Sequence, residues 1–152
     1  SFRKEWMDFY LDGGIVLADR YTTSNMIHQA GKINDKEEKD RFLDWLWNFE
    51  FELFGLPVPD FVIFLDMPPG YSRRLMAGRN NKFTGDEKKD IHEKDIGFID
   101  RSYENARYVS EKYGWERVNC IRNGEIRTVE DIHEEVYRIF KSRTDPGYQA
   151  AK

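Results

Sequence analysis

Three short runs rich in apolar residues mark the chain, at residues 15–18, 61–66 and 117–122. They read IVLA, FVIFLD and RVNCIR, and glycine, proline or an asparagine-glycine pair borders each run. Continuous apolar runs of this length are typical of strands buried on both faces, as in parallel sheets. The pattern therefore predicts three strands of a parallel sheet, of which the third is the least apolar.

Helical periodicity occupies the segments between these runs. The longest pattern covers residues 35–54, with Asp35 as the predicted N-cap and Gly55 after the last turn. The apolar residues of this segment extend nearly all round the predicted helix; they are Phe42, Trp45, Leu46, Trp47, Phe49, Phe51, Leu53 and Phe54. A helix of this kind is buried on two sides. One side suits the sheet, and the other suits either the same domain or a partner subunit.

Two further helices are predicted in the C-terminal half. The first covers residues 95–113 and ends at Gly114, a typical C-cap residue. The second begins at Thr128 and Asp131, which have the spacing of a capping box. Its inward face would carry Ile132, Val136, Ile139 and Phe140.

Strands that alternate with helices predict an α/β fold, in which a parallel sheet has helices on its faces. We expect one domain over residues 1–143 and a frayed tail over 144–152. In such sheets ligands bind beyond the carboxyl ends of the strands. The stretches ADRYTTSN (18–25) and DMPPGYSRR (66–74) follow two predicted strands and are therefore candidate binding loops.

Composition narrows the function classes. Of 152 residues, 39% are apolar and 34% are charged, and the net charge of −4 disfavours a general nucleic-acid binder. No apolar run approaches the roughly 20 residues of a membrane span. Cys120 is the only cysteine, so no internal disulfide can form. We expect a cytoplasmic protein that binds neither nucleic acid nor membrane.

The dipeptide Asp19-Arg20 lies at the end of the first predicted strand. A carboxylate there can hold Mg²⁺ directly or through water. A guanidinium can bind a phosphate through two parallel hydrogen bonds. An internal ion pair explains the same dipeptide, and the two residues alone favour that simpler interpretation. The following TTSN (22–25) suits a base edge and equally suits helix N-capping.

Basic residues also cluster in YSRRLMAGRNNK (71–82), which leads into a charged segment at 80–95. A loop of this kind can close over a phosphorylated substrate as a lid, although most such segments are solvated surface loops. Other chemistry has little support: His28, His92 and His133 lack metal-site spacing, and Cys120 falls within a predicted strand. The phosphate-binding patterns G-x-x-x-x-G-K-[ST] and G-x-G-x-x-G do not occur in the sequence.

ADRYTTSNMIHQAG (18–31) and GLPVPDFVIFLDMPPGYSRR (55–74) together resemble the thymidylate kinases, which are nucleoside monophosphate kinases of the P-loop NTPase fold. The resemblance covers nearly all of residues 1–143 and includes the helix that carries Phe98 and Tyr103. It implies that the γ-phosphate of ATP is transferred to thymidine monophosphate (dTMP). It also implies Mg²⁺ and ATP as cofactors and a homodimer as the assembly.

The same resemblance implies roles for individual residues. Asp19 would lie near Mg²⁺ and the reacting phosphates, and Arg20 would bind the phosphate of dTMP. The other acceptor-site residues would be Tyr21, Ser24, Asn25 and Gln29. The residues on the donor and lid side would be Arg74, Arg79 and Lys82.

Two features depart from the family pattern. Residues 83–98 contain lysines but no arginine, and lysine cannot make the planar two-point contact of a catalytic arginine. The family also begins with a strand, a glycine-rich loop and a helix, and that strand lies between those predicted here at 15–18 and 61–66. We therefore expect a gap in the sheet, a chain that is part of a longer polypeptide, and no useful kinase activity from these residues alone.

Two alternatives stay open at this point. One is a kinase for another deoxynucleoside or nucleotide. The other is a non-catalytic nucleotide-binding or assembly module that uses the aromatic segment 42–54 as an interface.

Overall fold

The computed structural model of the protein describes residues 3–77, 89–145 and 147–148. These residues form six α-helices, a π-helical turn and four short strands. In chain order the elements are α1 (Arg3–Leu11), α2 (Thr23–Ala30), α3 (Lys36–Trp47), a π-helical turn (Asn48–Leu53), β1 (Ile63–Asp66), α4 (Pro69–Ala77), α5 (Lys89–Lys112), β2 (Glu116–Asn119), β3 (Ile121–Arg122), β4 (Glu125–Ile126) and α6 (Val129–Thr144).

The strands β1 and β2 pair in parallel, with Ile63 opposite Glu116. The strands β3 and β4 form a short antiparallel hairpin. Its turn residues Asn123 and Gly124 have φ values of 53° and 80°, which suits a tight two-residue turn. The strand predicted within 61–66 and its parallel pairing are confirmed. The strand predicted at 117–122 is confirmed only as far as Asn119, because Ile121–Arg122 belongs to the separate hairpin. The result is a mixed α/β fold with a small parallel sheet and flanking helices.

The strand predicted at 15–18 is wrong. These residues have no regular secondary structure, and they pair with no strand in the described part of the chain. Ile15, Val16 and Leu17 are exposed, Leu17 by 86%. An apolar run becomes a strand only where a neighbour supplies hydrogen bonds to its backbone. Within the described residues β1 pairs with β2 alone, and the gap expected between the strands at 15–18 and 61–66 stays a prediction because residues 15–18 form no strand.

The main core lies between α2, α3 and α5. Its buried apolar residues are Met26, Ala30, Leu43, Leu46, Phe51 and Val109. The predicted N-cap of α3 is confirmed, since an Asp35 side-chain oxygen accepts from the backbone N–H of Glu38 at 2.8 Å. At the other end of α3, the ring of Trp47 stacks on Tyr113 of the loop after α5, with 5.2 Å between ring centroids.

The predicted helix over 35–54 is not a continuous α-helix. It changes to a π-helical turn over Asn48–Leu53, in which each turn holds more residues. The change brings Glu50 and Phe51 inward and leaves Leu53 70% exposed. The apolar surface expected all round this segment is therefore only partly buried within the described chain, since Trp45, Leu53 and Phe54 are more than half exposed.

Close packing fixes the end of α2 against α5. Asn105 is only 2% exposed, and its amide nitrogen donates to the carbonyl oxygens of Met26 (2.9 Å) and Ile27 (2.7 Å). The Ile27 carbonyl oxygen also accepts from the backbone N–H of Gly31 at 3.2 Å, so Asn105 adds a second bond at the end of α2. A side chain at Gly31 would place its Cβ 2.9 Å from the Ile27 carbonyl oxygen. The two bonds from Asn105 fix α2 on α5, and α2 in turn carries the candidate site residues at its start.

The predicted lid and tail fall only partly within the described residues. Residues 89–95 of the predicted lid belong to α5, and residues 80–88 lie outside the described ranges.

The helix predicted at 95–113 is confirmed, and Gly114 follows it with φ 63°. The capping interaction at the start of α6 is also confirmed, since Thr128 Oγ1 accepts from the N–H of Asp131 at 3.2 Å. No helix in the described ranges is both long enough and apolar enough to cross a membrane.

Candidate functional site

Arg20 lies in the loop that leads into α2, with a left-handed backbone (φ 70°). Its Nε donates to Ser24 Oγ at 3.4 Å, and its Nη2 lies 3.0 Å from His28 Nε2. Ser24 and His28 are one turn apart on α2 and therefore share a face of that helix. One turn of helix thus supplies two acceptors to a single exposed guanidinium.

The contact with Arg20 sets the tautomer of His28. A guanidinium can only donate, so Nε2 must accept and the ring proton must lie on Nδ1. The ring stacks on Phe98 of α5, with centroids 5.9 Å apart and 16° between planes. Burial, the charge of Arg20 and the charge of Lys32, in that order, lower the pKa of His28. His28 is therefore neutral near neutral pH.

Asn25 is oriented by a buried carboxylate. Its Nδ2 donates to Glu50 Oε1 at 3.1 Å, and Glu50 is 8% exposed in the π-helical turn. An ionised carboxylate only accepts, so the amide nitrogen faces Glu50 and the amide oxygen faces the opposite way.

Tyr21 and Gln29 lie on either side of these residues. The Tyr21 hydroxyl donates to the carbonyl oxygen of Pro57 at 3.1 Å, and its ring packs against the main core. Tyr21 therefore ties the start of α2 to the proline-containing loop before β1. Gln29 is exposed, and its Oε1 accepts from Lys32 Nζ at 2.8 Å.

Asp19 is exposed, and no described residue pairs with it by a salt bridge or a side-chain hydrogen bond. The alternative of an Asp19–Arg20 ion pair is therefore wrong for this structure. The described residues contain no group of three or more side chains that could hold a metal. A single available carboxylate fits Mg²⁺, which usually keeps several waters and adds phosphate oxygens to one or two carboxylates.

Of the three residues that the resemblance assigns to the donor and lid side, Arg74 lies in the described part of the chain. The Arg74 guanidinium lies 4.4 Å from the centroid of the Tyr71 ring, and the Tyr71 hydroxyl donates to the carbonyl oxygen of Gly124 at 3.0 Å. The other two donor-side residues, Arg79 and Lys82, lie outside the described ranges.

The second candidate loop has a structural carboxylate at its start. Asp66 ends β1, is buried, and accepts from the Tyr103 hydroxyl at 2.8 Å and from Arg117 Nε at 2.5 Å. Burial and the bond to Asp66 raise the pKa of Tyr103. These bonds join β1 to α5 and β2, so the Asp66 side chain is committed to holding the sheet.

His28 and Glu50 are absent from the residues that the sequence pattern indicated. His28 carries a usable signal, because it follows Ser24 by four residues on a short amphipathic helix. Glu50 carries a second signal, because it is an acid within the apolar run FEFELF (49–54).

No protein-family model matches the chain. A protein of Plasmodium falciparum (isolate 3D7) named "Thymidylate kinase" is 26% identical over 137 residues, which are 90% of this chain and 54% of that protein. A Thermococcus gammatolerans protein named "Probable thymidylate kinase" is 26% identical over 135 residues, which are 89% of this chain and 55% of that protein. The chain spans about half the length of these curated relatives. These similarities indicate a thymidylate kinase-like relationship.

Proposed function

We propose that the chain provides the acceptor site of a thymidylate kinase, which converts dTMP and ATP to dTDP and ADP. The observation that carries the proposal is that Arg20 and Asn25 both lie at the start of α2 and that each is held by hydrogen bonds to its own partners. The Arg20 guanidinium suits a phosphate, and the Asn25 amide suits the edge of a base. Similarity to the two relatives over about nine tenths of the chain supports the same function.

Arg20 is the proposed ligand of the acceptor phosphate. Ser24 and His28 engage its Nε and one N–H of Nη2, and its remaining N–H groups stay available for phosphate oxygens. Asp19 is the proposed Mg²⁺ ligand, directly or through water. When it is bound, Mg²⁺ neutralises charge on the reacting phosphates.

Asn25 is the proposed reader of the base. Its amide oxygen faces away from Glu50 and can accept from N3–H of thymine. Cytosine has no proton at N3, so the fixed amide would disfavour dCMP. Tyr21 walls the pocket, while Ser24 and Gln29 offer further polar contacts to the base or sugar.

In the proposed reaction a phosphate oxygen of dTMP attacks the γ-phosphorus of ATP. The bond from that phosphorus to the bridging oxygen breaks, and ADP leaves. Arg74 is the proposed contact to the donor nucleotide, with Arg79 and Lys82 nearer the lid. The 152 residues contain no G-x-x-x-x-G-K-[ST] loop for ATP, so we propose that they do not transfer phosphate alone.

Calorimetric titration with dTMP, with deoxyguanosine monophosphate as the control ligand, tests the acceptor site. We expect selective binding of dTMP, and we expect Arg20→Gln to weaken it. Arg138→Gln is the matched control, because Arg138 is an exposed arginine of α6, which packs on β2 rather than α2. Equal affinity for the two nucleotides, or equal losses in both variants, would contradict the proposal. Deoxyuridine monophosphate and thymidine as further ligands separate dTMP from other acceptors.

A second candidate function is assembly, which one surface favours. The rings of Trp45, Phe49 and Phe54 contact one another in series, and Trp45 and Phe54 are largely exposed. A homodimer through this face is compatible with the kinase proposal. Stable self-association by a chain that binds no nucleotide would favour an assembly module instead.

A further inference from the structure

We infer that neutral His28 is a positioning residue for Arg20: with Ser24, it holds one side of the guanidinium so that the other side faces the acceptor phosphate. The inference rests on the proposed function. The resemblance assigns no role to His28. The inference gives it one and makes the affinity for dTMP depend on the protonation of its ring.

The geometry that supports this role is local and specific. Ser24 Oγ and His28 Nε2 come from successive turns of α2, and both receive N–H groups of Arg20. Arg20 is exposed and would otherwise sample many rotamers, at a cost when a ligand orders it. Two acceptors on a rigid helix reduce that cost before the ligand arrives.

The imidazole itself is held in place. Phe98 of α5 stacks on the ring, and the end of α2 is fixed on α5 by Asn105. His28 Nδ1, which carries the ring proton in this tautomer, is buried and has no hydrogen-bond partner in the described part of the chain. Stacking alone would be served by any aromatic ring, whereas the bond from Arg20 needs an acceptor at Nε2.

Protonation of His28 removes this role. A proton on Nε2 replaces the acceptor with a donor and sets two cations against each other. The charges that act on the ring are Arg20, from the preceding loop, and Lys32, from the segment after α2. Phe98, the α5 residue stacked on the ring, does not titrate. Within the part of the chain that the structure describes, no carboxylate shifts the pKa of His28, so no described acid compensates the added charge.

Two substitutions distinguish the hydrogen-bond acceptor that His28 offers to Arg20 from the aromatic ring that it offers to Phe98. His28→Gln keeps an acceptor for Arg20 but does not titrate, and His28→Phe keeps a ring for Phe98 but has no acceptor. Affinities for dTMP and thymidine are measured by calorimetry at several values from about pH 8 to about pH 5, which spans the imidazole range. The dTMP phosphate also titrates, with a pKa of about 6. It does so equally for every variant, so ratios between variants isolate His28.

We expect the wild-type chain and His28→Gln to bind dTMP similarly at high pH. At the acidic end the wild-type chain should bind about fivefold more weakly than His28→Gln, the effect of losing about one hydrogen bond. His28→Phe, which has no acceptor, should bind dTMP more weakly than His28→Gln at every pH. Thymidine, which has no phosphate, should show none of these differences. A constant ratio between wild type and His28→Gln, or a wild-type affinity that gains in acid, would overturn the inference.

Ring-nitrogen NMR of the free chain provides a readout that needs no ligand. We expect the Nδ1–H tautomer of His28 and a rise in its pKa in Arg20→Gln, because a neighbouring cation is removed. An Nε2–H tautomer would overturn the inference even if dTMP binds. Absence of dTMP binding at every pH would contradict the proposed function, and the phosphate part of the inference with it, whatever the tautomer.

Discussion

Replacing Glu50 with glutamine should weaken the preference for dTMP over dCMP without unfolding the chain. The carboxylate accepts from Asn25 at 3.1 Å and thereby directs the Asn25 amide oxygen towards the proposed base site. Glutamine has nearly the same shape, but its amide can either donate or accept. Asn25 could then turn its amide over and keep a hydrogen bond in both orientations.

The magnitude follows from the kind of bond that is lost. Hydrogen bonds to charged groups contribute about 1.5–3 kcal/mol and neutral ones about 1 kcal/mol. The free-energy difference between the two orientations of the Asn25 amide should therefore fall by about 1 kcal/mol. This corresponds to about a fivefold smaller ratio of dTMP to dCMP affinity. Asn25→Ala should remove this part of the preference altogether.

The assay is a pair of calorimetric titrations, with dTMP and with dCMP, on each variant. Glu52→Gln is the matched control, because Glu52 belongs to the same π-helical turn but is exposed. Circular dichroism checks that each variant is folded. If Glu50→Gln is folded and keeps the wild-type ratio, or if Glu52→Gln lowers the ratio equally, then Glu50 does not orient Asn25.

Three further predictions concern stability and reactivity. Asp35→Ala should lower the free energy of unfolding in urea by about 1 kcal/mol, because the backbone of α3 loses its N-cap, and an unchanged value would refute this role. Hydrogen bonds from Lys112, Tyr108 and Lys36 hold the pKa of Asp40 well below its usual range. Its contribution to stability should be complete above the ordinary carboxyl pKa of about 3.9 and should fall as the pH drops below that. Asp40→Asn should flatten this acid limb of the unfolding curve, and an unaltered limb would assign it to other carboxylates. Burial raises the pKa of the Cys120 thiol, so a thiol reagent should react with it slowly in the native chain and rapidly in urea; fast native reaction would contradict its burial.

Local chemistry made several elements predictable from the sequence. Asp35 and Thr128 each bind the backbone N–H three residues ahead, so their effect depends on neighbours along the chain. Gly114 follows α5 in a left-handed conformation that glycine adopts without strain. The run at 61–66 forms a strand because a partner, β2, lies beside it. Residues 15–18 have an equally good pattern but no neighbour in the described chain, and pattern alone cannot reveal that difference.

The candidate site was predictable only in part. Arg20, Ser24 and Asn25 lie close together because they are neighbours along the chain at the start of one helix. Their partners are harder to foresee. His28 required knowing that Arg20 turns back along α2, and Glu50 required knowing where α3 changes its helical period. The contact of His28 is local, with its partner eight residues away, whereas the contact of Glu50 joins residues 25 positions apart. The assigned roles of the site residues, including Arg74, remain predictions.

Because of the π-helical turn, the site depends on the number of residues in the segment 48–53 as well as on which residues they are. In this turn the N–H of Phe54 bonds the carbonyl oxygen of Phe49, five residues back, so the segment holds about one residue more than an α-helix would. Deleting Asn48 would let a regular α-helix run through and would rotate the residues on one side of the deletion by about 100° relative to those on the other. Glu50 could then leave Asn25 although both residues are still present. Homologous chains that align without gaps through this segment can therefore share the site, whereas a one-residue indel here would separate chains that look alike at every named position.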